Sequence, residues 1–447
     1  MPQLARYSSA KTPNQKGVRA MQGMLCQIVF CSVLTICFSG IASAKTLCVN
    51  RSGNGGCYST INAAVAHAAP HDTIRVAHGT YAEDVMIGKS LSLIADDRDR
   101  TVIDASGLSN GIYVDGIDSP GLREVVVNGF TIANANFEGV LIANAAYITI
   151  VDNNVVHNDQ SLNFASASCP GLPAFETAEG EDCGEGIHLS GVRHSTISNN
   201  NVLHNSGGIL LSDDTAATHH NLITGNVVKE NPFDCGITLA SHPPAALTGA
   251  AAPLGVFRNT ISHNFSSRNG LQGEGAGIGI FDSVPGAKDY ANVVIGNTST
   301  DNRLPGVAMH SHTPGQNLNN NVIVANRISG NGADTADAAT PGPAGINVFG
   351  VSPVRGTIIS QNIISDEAVD LAVNTPAYVD AHLNNFFGRK WGVANLGAGS
   401  IDATENWWGC SQGPSRWGCT NVNGPNVLVE PWLTRPFLSG TDEHHDH

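Results

Sequence analysis

Residues 186–211, GIHLSGVRHSTISNNNVLHNSGGILL, contain the pattern that decides the fold. The tetrapeptide Gly-aliphatic-x-aliphatic begins this stretch and recurs 22 residues later, at Gly208. Further copies begin at Gly111, Gly139, Gly236, Gly277, Gly306 and Gly345, with degenerate copies at Asp370 and Gly392. A second element alternates with the first and ends in Asn128, Asn154, Asn201, Asn226, Asn264, Asn297, Asn326, Asn362, Asn385 and Asn406. This unbroken alternation indicates a repeat protein.

The shortest repeat length, 22 residues, selects among the repeat architectures. A βαβ unit needs about 30 residues, and a propeller blade needs about 40. Short strands with alternating aliphatic residues, separated by Gly or Asn, are typical of one coil of a single-stranded parallel β-helix. We therefore expect an all-β solenoid of about ten or more coils. The Asn residues are expected at left-handed corners, where their amides form a ladder without a chemical role.

Both ends of the repeat region predict caps, because an open coil end is a row of unpaired strand edges. Residues 59–68 indicate a short amphipathic helix with a Ser or Thr N-cap over the first coil. The tail holds four of the five Trp, which indicates a Trp-rich plug for the last coil. The predicted regions are an N-terminal cap with the first coils at 45–110, repeats at 111–405, a C-terminal cap at 406–440 and a flexible tail at 441–447.

Residues 1–44 predict a secretory signal peptide. Arg19 precedes an apolar run over residues 25–39, and Ala42-Ser43-Ala44 supplies the small residues of a cleavage site. Cleavage before Lys45 would place the protein in the periplasm or outside the cell, with no membrane span. A retained membrane anchor is the alternative, since the apolar run is only slightly shorter than the roughly 17 residues of a spanning helix.

Seven of the ten cysteines follow this leader, and six of them form close pairs in the sequence. An exported, oxidised chain predicts the local disulfides Cys48–Cys57, Cys169–Cys183 and Cys410–Cys419. The remaining Cys235 is predicted to be a buried free thiol. None of the pairs has the CxxC spacing of a structural zinc site.

The charge balance excludes one class of partner. The full chain has a net charge of −15; starting at Lys45 it loses four bases and no acid, so its charge becomes −19. A protein that binds nucleic acid through phosphates needs a basic footprint instead. An acidic chain would also repel polyuronates unless cations intervene. The charge therefore favours either a groove that binds its substrate through Ca²⁺ or a substrate that is a neutral glycan. Separately, we expect the protein to be a monomer.

Several segments resemble one superfamily of secreted proteins. They are Tyr58-Ser-Thr-Ile-Asn-Ala-Ala-Val, Asp72-Thr-Ile-Arg-Val-Ala-His-Gly-Thr-Tyr-Ala-Glu, Lys89-Ser-Leu-Ser-Leu-Ile, Val102-Ile-Asp and Asn406-Trp-Trp-Gly. Over essentially the whole mature chain, the sequence is similar to right-handed parallel β-helix proteins of the pectin-lyase-like superfamily, including NosD-like repeat proteins. The resemblance implies a right-handed helix. It implies no single activity, because the superfamily includes lyases, hydrolases, esterases, epimerases and adhesins.

Long loops flank the Gly-motif strand on both sides. They cover residues 163–184, 266–276 and 332–343 before the strand, and 241–258, 282–291 and 311–319 after it. Two rows of loops beside one sheet predict a groove for an extended polysaccharide or cell-surface glycan. Strand alternation points His188 outward and predicts two polar patches on the groove floor. One consists of Glu138, Glu185, His188, Asp213 and Asp214, and the other of Asp282, His310 and His312 with Arg303.

Three functions are open for these residues. In a lyase or epimerase, His188 would remove the proton next to a uronate carboxylate. A Ca²⁺ ion held by Glu185, Asp213 and Asp214 would then neutralise that carboxylate. In a glycoside hydrolase, Glu138 and Glu185 on neighbouring coils would act as acid and base. In a non-catalytic glycan-binding or cell-surface structural protein, all of these groups would be solvated turn residues.

Short motifs do not decide among these functions. Arg303-Leu-Pro305 matches the Arg-x-Pro of pectate lyases in three letters, while the Asp-Phe-Ile-Phe-Gly motif of pectin methylesterases is absent. The Tyr-Gly-x-Asp-Pro-His run of alginate epimerases is absent as well. His157 and His204 occupy equal positions on adjacent coils, away from the groove, and we expect surface turn residues there rather than a metal site.

Overall fold

The computed structural model describes residues 44–162, 169–176, 183–282, 284–336, 340–352 and 354–437. Apart from Ala44, the predicted signal peptide lies outside these residues, and so does the predicted tail at 441–447. No helix in the described part of the chain is long and apolar enough to cross a membrane.

Three long parallel sheets, called A, B and C, form the body of the molecule. Each full coil of the chain contributes one strand to sheet C, then one to sheet A and then one to sheet B. Sheet C carries the Gly motifs, and its 12 strands in the described residues are Val85–Ile87, Ile112–Asp115, Val140–Ala143, Glu185–Ser190, Gly207–Ser212, Ile237–Ser241, Ile278–Asp282, Val307–Ser311, Ala344–Gly350, Val369–Asn374, Trp391–Asn395 and Asn421–Asn423.

Sheets A and B complete each coil. The 14 described strands of sheet A are Thr46–Val49, Thr73–Val76, Ser92–Ala95, Val126–Asn128, Thr149–Val151, Thr196–Ser198, Leu222–Thr224, Thr260–Ser262, Val293–Ile295, Val322–Val324, Thr357–Ser360, Tyr378–His382, Ser400–Asp402 and Val427–Leu428. The 11 described strands of sheet B are Gly79–Tyr81, Thr101–Asp104, Thr131–Ala133, Asn154–Val156, Asn201–Leu203, Val227–Lys229, Phe265–Ser267, Thr298–Thr300, Arg327–Ser329, Ile363–Ser365 and Asn385–Phe387.

Smaller elements complete the described chain. Sheet D, between sheets C and A, consists of the strands Thr218–His219, Val256–Phe257 and Asp289–Tyr290. The helices are the α-helix Ile61–His67 and the 3-10 turns Asn54–Gly56 and Ala246–Thr248.

Equivalent residues of successive coils lie side by side, because every strand pairs in parallel with the strand one coil later. In sheet C, Val140 pairs with Ile187, and Ile187 pairs with Ile209. These inward side chains are 0% exposed. Burying one such side chain contributes roughly 1.5–3 kcal/mol, and the stack continues along the whole axis. The predicted parallel β-helix is thus confirmed.

Asparagine ladders bond the coils at three corners, where the sequence predicted one. The central ladder contains Asn153, Asn200, Asn226, Asn264, Asn297, Asn326, Asn362, Asn384 and Asn406. A second joins Asn158, Asn205, Asn231, Asn269, Asn302 and Asn331. A third joins Ser195, Asn221, Asn259, Asn292 and Asn321. Each buried amide thereby finds the partners that it needs inside the protein.

The predicted ladder positions need a correction of one residue in several coils. The central ladder uses Asn153 and Asn200 rather than Asn154 and Asn201. The left-handed residue is the one before each ladder Asn, as at Asp152, whose φ is 57°. A corner therefore consists of a left-handed residue followed by an inward amide, and runs of two or three Asn hide which of them points inward.

The N-terminal cap follows the prediction. The side chain of Thr60 accepts a hydrogen bond from the N–H of Ala63, which starts the helix Ile61–His67 over the first coil. At the other end Trp408 is 0% exposed and packs against Phe386, with ring centroids 5.2 Å apart. Trp417 is 99% exposed and does not contribute to this packing.

The three predicted disulfides, Cys48–Cys57, Cys169–Cys183 and Cys410–Cys419, are all formed. Cys235 is buried and carries a free thiol, as predicted. Disulfides persist in oxidising compartments, so these three are consistent with a location outside the cytosol.

Candidate functional site

The predicted site residues lie on and beside sheet C, but they do not form an open groove floor. Glu138 is 1% exposed and His188 is 2% exposed. The same burial holds for Glu185, Asp213, Asp214, Asp282 and His310. Arg303, in contrast, is exposed. The expectation of a solvent-facing polar floor is therefore wrong at these coils.

On the outer face of sheet C, the residues that flank His188 on the adjacent coils are apolar, which favours a cover of loops over this part of the sheet. Leu141 and Leu210 lie beside His188 on the preceding and following coils. Both leucines point outward, yet they are 0% and 2% exposed. Burying them favours closure of the flanking loops over the sheet.

The first covering segment precedes the strand Glu185–Ser190. The Cys169–Cys183 disulfide closes the base of this loop. Phe175 stacks on Tyr113 of the sheet, with ring centroids 6.5 Å apart. The next residue, Glu176, thereby lies over the sheet as a half-buried side chain.

Glu138 and Glu176 form a close pair of buried carboxyl groups, with an oxygen of each within 4.8 Å of the other. Burial raises the pKa of Glu138 from 4.5 to about 8. Burial, followed by the charge of Glu138, raises the pKa of Glu176 well above 4.5. Glu138 also accepts a hydrogen bond from the backbone N–H of Glu185 at 2.5 Å. Two buried carboxyl groups this close repel each other when both are ionised, so burial and proximity together favour a proton on the pair.

His188 connects this pair to a second carboxyl group. Its Nδ1 lies 3.1 Å from Oε1 of Glu138, and its Nε2 lies 2.8 Å from Oγ of Ser212. The Ser212 hydroxyl donates to Oδ2 of Asp214 at 2.5 Å, so it accepts from the His188 ring. This assigns the ring proton to Nε2 and points the Nδ1 lone pair at the protonated Glu138.

Asp214 is the ionised end of the network. Burial alone would raise its pKa, but the charge of His242 and the hydrogen bond to it lower the pKa below the usual range. Nδ1 of His242 lies 3.3 Å from Oδ1 of Asp214. One line of contacts therefore joins a protonated carboxyl pair, through His188 and Ser212, to a carboxylate.

The same arrangement is able to hold a cation. Ligand atoms of Glu138, Glu176 and His188 all lie within 4.8 Å of one another. A divalent ion would need both carboxyl groups ionised, whereas burial of the pair favours the protonated form. At neutral pH the geometry therefore fits proton transfer better than metal binding.

The predicted calcium ligands do not converge. In the described chain, Glu185, Asp213 and Asp214 do not form a group with ligand atoms within 4.8 Å of one another. Asp213 instead fixes the second covering loop: its oxygens accept the backbone N–H groups of His242 and Gly255 and the hydroxyl of Ser241. Glu185 donates its backbone N–H to Glu138. The two residues are thus in direct contact, whereas the carboxyl groups of a hydrolase pair stand about 5 Å or more apart.

The second predicted patch separates into two environments. Asp282 pairs with the buried Asp289, and burial raises the pKa of Asp282 to about 8. His310 instead contacts Asn347 at 3.1 Å and Asp334 at 3.5 Å.

Of the remaining members of this patch, His312 contacts both environments, because its ring lies 5.7 Å from that of His310, and Arg303 lies outside them. His312 donates from Nδ1 to the backbone oxygen of Asp282. The exposed Arg303 lies in the turn between the strands Thr298–Thr300 and Val307–Ser311.

The sequence did not predict which loop residues join Glu138 and His188 in the site. Glu176 and His242 lie inside two of the long loops that the sequence indicated, at 163–184 and 241–258. The loop positions pointed to these segments, but no periodicity in them shows which residue turns toward the sheet. Ser212 lies on the repeat itself, in the strand Gly207–Ser212, two residues after the outward Leu210 and therefore on the same face.

A comparison with protein-family models matches residues 101–250 to the right handed beta helix region. This match covers about a third of the chain and agrees with the parallel β-helix fold of the described residues. No curated protein matches it.

Solved structures share this fold at low identity. DFA-IIIase from Arthrobacter chlorophenolicus A6, without its lid and in complex with GF2, is 12% identical, with a TM-score of 0.52 over 89% of this chain and 100% of that chain. The mannuronan C-5 epimerase AlgE6 A-module of Azotobacter vinelandii is 16% identical, with a TM-score of 0.43 over 84% of this chain and 94% of that one. Pectate lyase Pel9A is 15% identical, with a TM-score of 0.39 over 90% and 83%.

Proposed function

We propose that this β-helix protein processes an extended glycan by acid–base chemistry at the Glu138–Glu176–His188 site. One observation carries the proposal: a single buried network contains carboxyl groups whose pKa values are shifted in opposite directions. Environments that separate the pKa values of neighbouring groups are how one site holds both an acid and a base near neutral pH.

A uronate-containing glycan fits this chemistry best, as the substrate of a lyase or an epimerase. His188 would take the proton from the carbon next to the uronate carboxylate. In elimination, that electron pair forms a carbon–carbon double bond and the glycosidic oxygen leaves with a proton from the Glu138–Glu176 pair. In epimerisation, a proton returns to the same carbon from the opposite face.

The protonated Glu138–Glu176 pair would also take the place of a cation beside the substrate carboxylate. A carboxylic acid that stays neutral at pH 7 donates a hydrogen bond to an anion without repelling it. Glu176 is the half-buried member of the site and lies on a loop. Substrate would therefore approach by displacing Glu176 and by separating Glu138 from Nδ1 of His188, the ring nitrogen that carries the lone pair.

The comparison with solved structures supports the fold on which this proposal is built. DFA-IIIase in complex with GF2 shares the fold over its whole length. At 12% identity this likeness shows the fold alone, so the proposal rests on the side chains of the site.

A glycan screen with matched variants tests the proposal. Pectate, alginate and neutral polysaccharides would be incubated with the protein, with Ca²⁺ and with EDTA. Ultraviolet absorbance of unsaturated ends would report elimination, new reducing ends without absorbance would report hydrolysis, and deuterium uptake in unbroken chains would report epimerisation. We expect EDTA-insensitive activity that Glu138→Gln and His188→Gln abolish.

Glu367→Gln is the matched control, since Glu367 is a 0% exposed carboxyl group bonded to Asn331, outside the site. Equal loss in Glu367→Gln would assign the effect to folding. Inactivity of the folded wild-type protein on every substrate would overturn the enzymatic proposal and favour the glycan-binding function.

A further inference from the structure

Three histidines meet at the corner between sheets C and A, outside the site described above. His194 comes from one coil, and His219 and His220 come from the next. Their ligand-capable ring atoms all lie within 4.8 Å of one another. His194 and His220 are exposed and His219 is half-buried, so the cluster is open to solvent.

The backbone holds these residues in place on both sides. The N–H of His194 donates to the oxygen of His219 at 3.3 Å, and the N–H of His219 donates to the oxygen of Val192 at 3.0 Å. Just inside the corner, the N–H of Ser195 donates to the Asn221 side chain at 3.0 Å, within the third ladder. The ligands therefore stand on two coils that cannot slide relative to each other, as a preorganised site requires.

The rings are arranged by aromatic neighbours on each side. Tyr147 stacks on His194 with centroids 5.3 Å apart, and Phe257 stacks on His219 with centroids 5.0 Å apart. Nδ1 of His219 lies 2.7 Å from Nδ1 of His220. Two ring nitrogens at this distance share one proton, and both would be available to an ion once that proton is lost.

We propose that His194, His219 and His220 bind one transition-metal ion, of the class of Zn²⁺, Cu²⁺ or Ni²⁺, through three imidazole nitrogens. Imidazole is the ligand that these ions share. Three protein ligands leave a fourth position open on a tetrahedral ion. This site is independent of the proposed glycan chemistry.

Neutral imidazoles are the metal-binding form, and cationic side chains surround the cluster. Arg193 and Arg258 face His219 and raise the local positive potential. The open position would therefore take an anion, such as hydroxide, chloride or a carboxylate.

Another histidine pair provides an internal comparison. His157 and His204 stack at 5.1 Å on two coils at a different corner. Their carboxylate neighbour Glu230 already pairs with His204 and Arg268. This pair offers two imidazoles and no third, so it should bind the same ions much more weakly.

The test is a competition titration of Zn²⁺ against a chromophoric chelator, using the full chain without an added affinity tag. Both His194 and His220 lie in the left-handed region, with φ of 53° and 57°. His194→Asn and His220→Asn therefore keep a residue that tolerates this conformation. We expect one Zn²⁺ per chain, and each variant should weaken binding at least about 100-fold because a direct ligand is lost. His157→Asn, at an equivalent left-handed corner, should change binding less than about 2-fold.

The histidines near the C-terminus require a control of their own. Replacing His444, His445 and His447 together by Ala should leave the tight site intact. Loss of binding in that variant, with His194→Asn unchanged, would overturn the proposal. A Cu²⁺ spectrum supplies a second readout: three equatorial nitrogens are expected in the wild type and two in His220→Asn, and identical spectra would also overturn it.

Discussion

Replacing Glu138 by Gln tests whether a proton holds the buried carboxyl pair together. Burial raises the pKa of Glu138 from 4.5 to about 8. Since one pKa unit corresponds to about 1.4 kcal/mol, ionising this group costs the folded protein about 5 kcal/mol relative to the unfolded chain. Gln has the same shape and cannot ionise, so it mimics the protonated form.

The sign of the pH dependence follows from linkage. The folded protein binds this proton more tightly than the unfolded chain does, so unfolding releases it. The stabilisation is complete below pH 4.5 and is lost as the pH rises toward about 8. The Gln variant lacks this dependence. We expect E138Q to gain stability relative to the wild type between about pH 5 and about pH 9, by up to about 5 kcal/mol.

The assay is guanidinium unfolding followed by circular dichroism at both pH values. Glu124→Gln is the matched control, because the side chain of Glu124 is 48% exposed. This control should show the same pH dependence as the wild type. If E138Q also follows the wild type, Glu138 does not carry the proton and the acid–base assignment of the site is refuted.

Three further perturbations test the fold and the cover of the site. Ile209→Ala removes an inward side chain that is 0% exposed and should cost about 2–5 kcal/mol in denaturant unfolding. Asn264→Ala interrupts the central ladder and should cost about 1–3 kcal/mol for each buried group left unpaired, measured in the same way. Replacing Cys169 and Cys183 together by Ser opens a loop with a sequence separation of 14. This change should cost about 3 kcal/mol and speed amide exchange in the loop, as read by mass spectrometry.

The fold was predictable because its determinants recur in every coil. Alternating aliphatic residues such as Ile187 and Leu189 fix which face of the strand turns inward, and a one-residue slip would expose the whole set. The cap helix was predictable from Thr60 and the apolar pattern that follows it. The sequence predicted that Asn residues form the corners, but not which Asn of a run points inward. In Asn199-Asn200-Asn201, composition does not show which side chain forms the ladder.

The candidate site was predictable only where it lies on the repeat. Alternation placed His188 on the outer face of sheet C, and the structure confirms that position. Its burial could not be foreseen, because it depends on Glu176 and Phe175 from a loop that has no period. The histidine cluster at the other corner was missed for a related reason. His194 and His220 are 26 residues apart in the sequence, and only the coil register brings them together.

The proposed site explains how a chain with a large negative net charge would bind an anionic substrate. A chain with −19 net charge from Lys45 onward would repel a polyuronate unless the point of contact were neutral. At the proposed site, burial and the charge of Glu138 raise the pKa of Glu176, which favours a proton on the Glu138–Glu176 pair, and His242 offsets the charge of Asp214. The acidic residues here therefore present hydrogen-bond donors to an anionic substrate rather than charge. Neutralisation by shared protons does not require Ca²⁺, and activity should then fall as the pH rises through the range in which the pair loses its protons.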